Sequence, residues 1–520
     1  MADVEFEREE SENQLIEKAL KFLHSGCGCS RGAKGGPCSK QFEEETVLHN
    51  LHNSIELTNA ELDLVVLTSI QAFTRKEDIG SRRSRITQNV HSFLTNYVEE
   101  NAIVLPGRIP GFKRDDVKVL SSSDTRASDW RAYSAACEAS GEQAVCYSKF
   151  VDLWLQFHPD VVGAKPMTDL CLTCQQNTTK LLRAANLPET EKSDCIKAQQ
   201  DHLNCAQAER EFYRETCSSS ATMFNRLEVE INLNEVREPC SLNGMMHYSF
   251  DYAQQVHFPS NPMQPGPIYF KTPRKCGIFG VMCEAVPRQV NYLIDKAATV
   301  GKGANATISY VHHFFAQHGL GETEVHLHAD NCAGQNKNNF FLWYFAWRIA
   351  CKLHHSIKYS FLIAGHTKFG PDRRFGLLKK SYKVNFISSI YELARMVDAS
   401  SNAGVNKAQL VATHDDRILV PVYDWSSFLG QYFKKIPHIK KFHHFRFSKN
   451  EPGIVYCKEL LSSPEQAFQL LKDDAVIPPN PVLPQTINPE GLSEECRNYL
   501  FREIRQFCRS GTEDLVAPAP

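Results

Sequence analysis

Apolar and polar positions follow two different periods along this chain, and the change falls near residue 240. Before it, apolar residues recur at helical spacing: Leu48, Leu51, Ile55, Leu62, Val65 and Val66 mark helices within residues 46–110. Residues 129–139 and 144–157 predict two helices around a Gly141-Glu142 turn. That pair is compatible with a helix-turn-helix, but without a basic second helix it reads first as a plain helical hairpin. Two more helices follow, one opened by Cys171-Leu172-Thr173-Cys174 and a long polar one over 193–215. After Pro239 the period becomes two. Residues 245–251, 267–271 and 277–283 predict strands, and 289–294 extends them. A helix over 304–318 puts Ile308, Val311, Phe314 and Phe315 on one face. A strand at 324–329, a helix at 338–354, a strand at 356–364 and a helix starting near Pro371 complete the order. Hairpin strands followed by strand–helix units predict an α/β class with a mixed sheet flanked by helices, preceded by an all-helical N-terminal region.

The pattern divides the chain into six stretches. Residues 1–45 are a flexible Cys/Gly-rich N-terminus, 46–165 a helical region suited to DNA binding, and 166–240 a helical hairpin. Residues 241–400 are the α/β core and 401–475 a basic, aromatic extension of it. Residues 476–520 are a Pro-rich tail with one helix over 493–508. A basic cluster, Arg75-Lys76 and Arg82-Arg83-Ser84-Arg85, lies between two of the first helices.

Composition narrows the function classes. The 520 residues are 42% hydrophobic with a net charge of -2, so a grip on nucleic acid must come from local patches. The longest aromatic-apolar run, 340–350, is interrupted by Arg348 and is too short to span a bilayer. The acidic start lacks a secretory hydrophobic segment. The 18 cysteines therefore fit a reducing compartment, nucleus or cytoplasm, as free thiols or zinc ligands. There is no Gly-x-x-x-x-Gly-Lys-Ser/Thr loop, no Gly-x-Gly-x-x-Gly after a strand and no Gly-x-Ser-x-Gly elbow. Kinases, dinucleotide oxidoreductases and serine hydrolases are poorly supported on that ground.

Three aspartates stand at element ends: Asp251 closing the first core strand, Asp330 closing the 324–329 strand, and Asp372 opening the last core helix. Neighbouring strand ends bring the first two together, and a helix across that edge brings the third. Clustered carboxylates repel unless cations neutralise them, and hard oxygen donors suit Mg²⁺ or Mn²⁺. Single aspartates at strand ends are also common turn residues.

The segments Ser249-Phe250-Asp251-Tyr252, Asp330-Asn331-Cys332-Ala333-Gly334-Gln335-Asn336-Lys337-Asn338 and Gly365-His366 through Asp372 carry a resemblance. With Val104-Leu105-Pro106-Gly107-Arg108, Thr168-Asp169-Leu170-Cys171-Leu172-Thr173-Cys174 and His443-His444-Phe445-Arg446-Phe447, they resemble a large family of transposase-derived animal proteins. The core of that family is similar to the ribonuclease H-like fold of DDE/D transposases and integrases. The resemblance covers roughly residues 90–460. It implies a ribonuclease H-like core of catalytic type over 241–400, with Asp251 and Asp330 holding Mg²⁺ or Mn²⁺ and Asp372 as third acid, Glu392 being the fallback. It implies a metal-dependent DNA strand-transfer or nuclease enzyme of DDE/D type. The alternative is a catalytically silent, host-adopted DNA-binding or scaffold protein. DNA is the expected partner and a homodimer an allowed assembly.

Several residues take supporting roles. Asn331, Gln335 and Asn336 either bond phosphate and metal-bound water or cap their own turn. His366 orients a water or contacts phosphate, or is structural. Lys368, Arg373 and Arg374 flank Asp372. Cys171, Cys174, His202 and Cys205 form a Cys₃His zinc set, with Cys195 or a distant residue able to replace Cys205, or else a hairpin with buried free thiols. Cys27, Cys29 and Cys38 form a weaker set, completed by His49 or His52. Lys434, Lys435, Lys440, Lys441 and Arg446, interleaved with aromatics over 432–447, form the best nucleic-acid patch.

Overall fold

Val90, Leu94 and Val98 recur every four residues and form the buried stripe of α1 (Gly80–Asn101). That helix belongs to the first of two compact units, residues 1–166 and 167–520. The computed structural model describes residues 20–21, 80–102, 118–163, 170–183, 188–227, 234–478 and 480–519. The Cys27, Cys29 and Cys38 set with His49 and His52, the helical positions 48–66, residues 75–76, 104–108 and 168–169, and the side chains of Arg82, Arg83 and Arg85 lie outside the described residues.

In the first unit, β1 (Lys118–Leu120), α2 (Arg126–Ala139), α3 (Tyr147–Phe157) and β2 (Val161–Gly163) follow α1. Thr125 caps α2 with its hydroxyl on Ser128 N, 3.1 Å away. Tyr133 of α2 and Phe150, Leu153 and Trp154 of α3 close a small core on the α1 stripe. The region is not all-helical as expected: β1 and β2 pair in parallel, Val119 opposite Val162. Three residues are too few for a period to register.

In the second unit, α4 (Leu172–Arg183) and α5 (Glu189–Asn225) precede the sheet. They share one compact unit with it rather than standing apart as 166–240. Then come β3 (Leu242–Phe258), β4 (Arg274–Cys283), β5 (Arg288–Asp295), α6 (Ala304–Gln317), β6 (Glu322–Ala329), α7 (Asn339–Ala350) and β7 (Ser356–Phe361). α8 (Gly370–Val384), α9 (Ile390–Ala399), β8 (Asn406–Leu410), β9 (Val422–Tyr423), α10 (Trp425–Gly430), β10 (His444–Ser448), β11 (Ile454–Lys458) and β12 (Gln466–Gln469) follow. The expected strand at 267–271 is instead a 3-10 turn, Gly266–Phe270, because Gly266-Pro267 starts it with a fixed φ and one fewer donor.

The mixed α/β expectation is met by one nine-stranded sheet in the order β12-β11-β10-β7-β6-β3-β4-β5-β8. β3, β4 and β5 run antiparallel in turn, while β6 lies parallel to β3 and β7 parallel to β6. β10, β11 and β12 continue antiparallel beyond β7.

One face of the sheet is apolar. Tyr248, Phe250, Val325, Leu327, Ile357, Tyr359, Phe445 and Phe447 pack under Ile308, Val311 and Phe314 of α6 and Phe341, Phe345 and Trp347 of α7. α7 is apolar nearly all round because it is buried nearly all round. The opposite face carries the intervening residues of the same strands, under α5 and α8. Farther along β3–β5, a second cluster joins Phe258, Ile278 and Leu293 to Leu378 of α8 and Leu393 and Val397 of α9. Among the described residues no helix is long and apolar enough to cross a membrane.

Candidate functional site

Side chains alternate along a strand, so His247, Ser249 and Asp251 of β3 share a face. On β6 the matching set is His326, His328 and, just past its end, Asp330. Parallel pairing sets Phe250 opposite Ala329, which makes Asp251 and Asp330 the next neighbours across the two strands. Both are half-buried. Burial and then the Asp330 charge, with a smaller push from Asp372, raise the Asp251 carboxyl to about 8. Its Oδ1 accepts from Tyr252 N at 2.7 Å. Burial also raises Asp330, against bonds from Cys332 N at 3.3 Å and from the Asn336 amide. Asp372 is exposed in the first turn of α8, where Oδ2 accepts from Phe369 N at 3.1 Å. The three aspartates thus share one field. They are not among the groupings whose ligand atoms all lie within 4.8 Å of one another. Glu392, the fallback acid, is engaged elsewhere: it accepts from Ser388 N at 2.6 Å and pairs with Arg509 at 3.0 Å.

The turn after Asp330 is built from its own polar residues. Cys332 O accepts from Asn336 N at 2.8 Å and Lys337 N at 3.0 Å, and Asn338 caps α7 through Phe341 N at 3.2 Å. Asn331 donates to Leu362 O and accepts from Lys337 Nζ at 2.9 Å. Asn331 and Asn336 therefore cap and brace the turn, while Gln335 bonds Cys332 O through its backbone at 3.3 Å. Lys337 is buried at 4% exposure, and that burial lowers its amine to about 8. Its charge was not singled out from the sequence, although it lies within the turn that was.

A second cluster is tighter. Cys171, Cys174, His202 and His366 bring four ligand atoms within 4.8 Å of one another. Cys171 precedes α4, Cys174 lies in its first turn, His202 sits on α5, and His366 comes from the β7–α8 connector. Cys171 Sγ is 3.2 Å from His202 Nε2, and Cys174 Sγ is 3.4 Å from His366 Nε2. Cys171, Cys174 and His202 of the expected set are in it and Cys205 and Cys195 are not; the fourth place goes to a distant residue, His366, which was expected to orient water, contact phosphate or be structural. Gly365, at φ +78°, allows the approach, since a Cβ there would collide with the Cys171 backbone. Burial, then the neighbouring Cys171, raises the Cys174 thiol to about 11. Burial lowers His202 and His366, His366 also feeling His202 and Arg210, which favours the neutral imidazole that ligates metal.

Between the two clusters the polar face carries a buried chain of imidazoles. His247 Nε2 lies 2.8 Å from His328 Nδ1 and His326 Nε2 2.9 Å from Ser360 Oγ. The same hydroxyl is 3.0 Å from His444 Nδ1, whose Nε2 is 3.0 Å from Glu209 of α5. Burial lowers His247 to about 3 and takes His326 and His328 well down. Glu284, just past β4, accepts from Tyr213 at 2.5 Å and from Ser249, and burial raises its carboxyl. Sequence reading passed over it, although an acid closing an apolar strand is the signal that marked Asp330.

The 432–447 stretch divides in two. Lys434, Lys435, Lys440 and Lys441 are exposed. Phe433, Phe442, Phe445 and Phe447 are buried in the main core, which removes these four rings from base stacking. Arg446 is bound bidentately by Glu465 at 3.1 and 2.7 Å. Alternation on β10 sends the phenylalanines inward and the polar residues outward.

A family model described as a domain of unknown function, DUF7869, matches residues 271–462. The match takes in Asp330, His366 and Asp372 and stops short of Asp251, Cys171, Cys174 and His202. No curated protein and no solved structure matches the chain.

Proposed function

We propose that this protein cleaves or transfers DNA strands with the help of divalent cations held by Asp251, Asp330 and Asp372. The observation that carries the reading is the parallel β3–β6 register, which sets Asp251 beside Asp330 in a half-buried position where their charges oppose each other. Carboxylates gathered at such a cost are explained by a positive charge between them. The strand arrangement supports the same reading. Three antiparallel strands, with two parallel ones on the other edge of the first, are what a ribonuclease H-like core requires. Mg²⁺ or Mn²⁺ at this site would activate a water or hydroxyl and stabilise the leaving oxygen of a phosphodiester. Asp330 holds its oxygens just past the end of β6, whereas Asp251 stands inside β3, which continues to Phe258 instead of closing at Asp251 as expected; Asn336 orients Asp330. Lys368 and Arg373 are exposed beside Asp372 and offset backbone phosphate. Two thiolates and two imidazoles suit zinc, which would be structural, since four protein ligands leave no position for substrate.

The test is nicking of supercoiled DNA with Mn²⁺. Asp330→Asn is expected to abolish it while leaving the melting temperature within a few degrees of wild type. Unchanged nicking removes Asp330 from the chemistry. A second reading, a silent DNA-binding scaffold, is favoured by the bonds Asp330 already accepts from Cys332 and Asn336. Wild-type protein that binds DNA and never nicks it would decide for that reading.

A further inference from the structure

We propose that one zinc-class ion bound by Cys171, Cys174, His202 and His366 is the clamp that fixes Asp372, so that loading of the Cys/His site governs assembly of the acidic site. The second half rests on the reading of Asp372 as a cation ligand. The first half, the clamp, does not.

α4 is short of apolar anchors. Its buried side chains are Cys174, Asn177 and Thr178, with Cys171 just before it. Leu170 and Leu172 are 47% and 69% exposed. A 12-residue helix is marginal by itself in water, and among its described side chains no fully buried apolar stripe compensates. Ligation by two cysteines separated by one turn supplies the missing attachment, since metal-binding free energy is folding free energy at such a site. Sulfur and imidazole donors in equal number select zinc over the hard cations expected at the aspartates.

Residues 365–370 of the connector between β7 and α8 are then held by α4 and α5. Gly365 presses on Cys171, His366 reaches Cys174, and the His366 ring lies 5.3 Å from that of His202. Arg210 of α5 donates to His366 O at 3.2 Å. Tyr213 of α5 accepts from Gly370 N at 2.9 Å, and Phe369 packs on its ring. Two residues later stands Asp372, whose Oδ2 bonds back to Phe369 N. The path from metal ligand to third acid is six residues long and braced at both ends. His366 is thus a positioning residue for the acidic site.

The experiment uses full-length protein and reads three quantities: zinc per chain by elemental analysis, amide exchange over 363–372 by mass spectrometry, and Mn²⁺-dependent nicking. Wild type and Cys205→Ser are expected to carry about one zinc, since the four ligands make one tetrahedral site, and to protect the connector. His366→Asn is expected to lose the zinc, to exchange at least tenfold faster over 363–372, and to nick at least tenfold more slowly. His366→Cys, which keeps a ligand, restores all three. With Co²⁺ in place of zinc, wild type and His366→Cys should show the visible bands of a tetrahedral thiolate site, and His366→Asn should not. Should His366→Asn fail to fold, exchange is compared in wild type before and after a chelator withdraws the zinc. Zinc retained by His366→Asn, or connector exchange indifferent to zinc, overturns the clamp. If wild type carries zinc and protects the connector yet never nicks DNA, the clamp stands and its link to the acidic site falls with the cation-site reading.

Discussion

The two faces of the nine-stranded sheet are written by the same strands and obey different rules. On one face, Tyr248, Phe250, Leu327 and Tyr359 meet Phe341, Phe345 and Trp347 across dry contacts. On the other, one residue out of step, stand His247, Ser249, Asp251, His326, His328 and Ser360, where His247 bonds His328, His326 bonds Ser360 and Ser249 donates to Glu284. A one-residue register slip would exchange the two sets entirely. The apolar face accounts for stability, because burial there needs no partner. Every group on the polar face needs one, since a buried polar atom left unpaired costs about 1–3 kcal/mol. That difference places the chemistry. Titratable groups kept at the edge of solvability are useful only where a neighbouring face keeps the fold intact.

The apolar face has most to lose at Trp347. It is 1% exposed on α7, with Trp425 at 5.3 Å and Tyr344 at 6.0 Å between ring centroids. Trp347→Ala is expected to destabilise the second unit by about 3–5 kcal/mol, measured by urea denaturation. A loss below about 1 kcal/mol would mean that the apolar face does not carry the stability assigned to it.

The polar face should show itself in acid. His247 is lowered to about 3 by burial and His328 well below its ordinary value, whereas unfolded histidine titrates near 6.5. A base with a depressed folded pKa binds its proton more readily when unfolded. Its neutral form is therefore compatible with folding above pH 6.5, and stability is lost as pH falls from there toward the folded value. Between pH 7 and 5 one such histidine contributes a loss of about 2 kcal/mol. His328→Gln, which keeps a polar partner for His247, should shrink the acid loss by about that amount. An identical pH slope in the variant would show that His328 titrates no differently in the two states.

How far the sequence could be read follows from the range of each interaction. Alternation over Glu324-Val325-His326-Leu327-His328 is local, so β6 and the place of Asp330 at its end were legible. So was the pairing of Asp251 with Asp330 once hairpin strands were followed by strand–helix units. His366 was not. It stands 192 residues from Cys174, and no spacing rule reaches that far, whereas Cys205 offered an attractive i, i+3 spacing with His202. The 432–447 stretch misled for the opposite reason. His444-Phe445-Arg446-Phe447 looks like interleaved aromatic and basic residues on one surface, but a strand separates them onto two. The stretch 415–460 was legible as short strands and loops, but the pairing of β10–β12 beyond β7 was not, because each strand is only four or five residues long.

The smallest effect is expected where the two faces come closest to solvent, at Arg446. Its guanidinium is bidentate to Glu465 and lies 4.1 Å over the Tyr456 ring, and both charged side chains are about one-third exposed, at 35% and 32%. Solvent screens such a pair, so Arg446→Ala should cost less than about 1 kcal/mol. Its charge is already neutralised by Glu465, so it offers little to a phosphate. Lys440 and Lys441 are exposed on the 3-10 turn Ile439–Lys441. If the stretch meets DNA, replacing both lysines by alanine should weaken binding and flatten the salt dependence by about two ions, while Arg446→Ala leaves both nearly unchanged. Fluorescence anisotropy with a labelled duplex at several salt concentrations separates the cases. An Arg446→Ala loss as large as that of the double lysine variant would mean that Glu465 releases Arg446 to the DNA. The polar edge would then be a surface that rearranges on binding rather than one already satisfied.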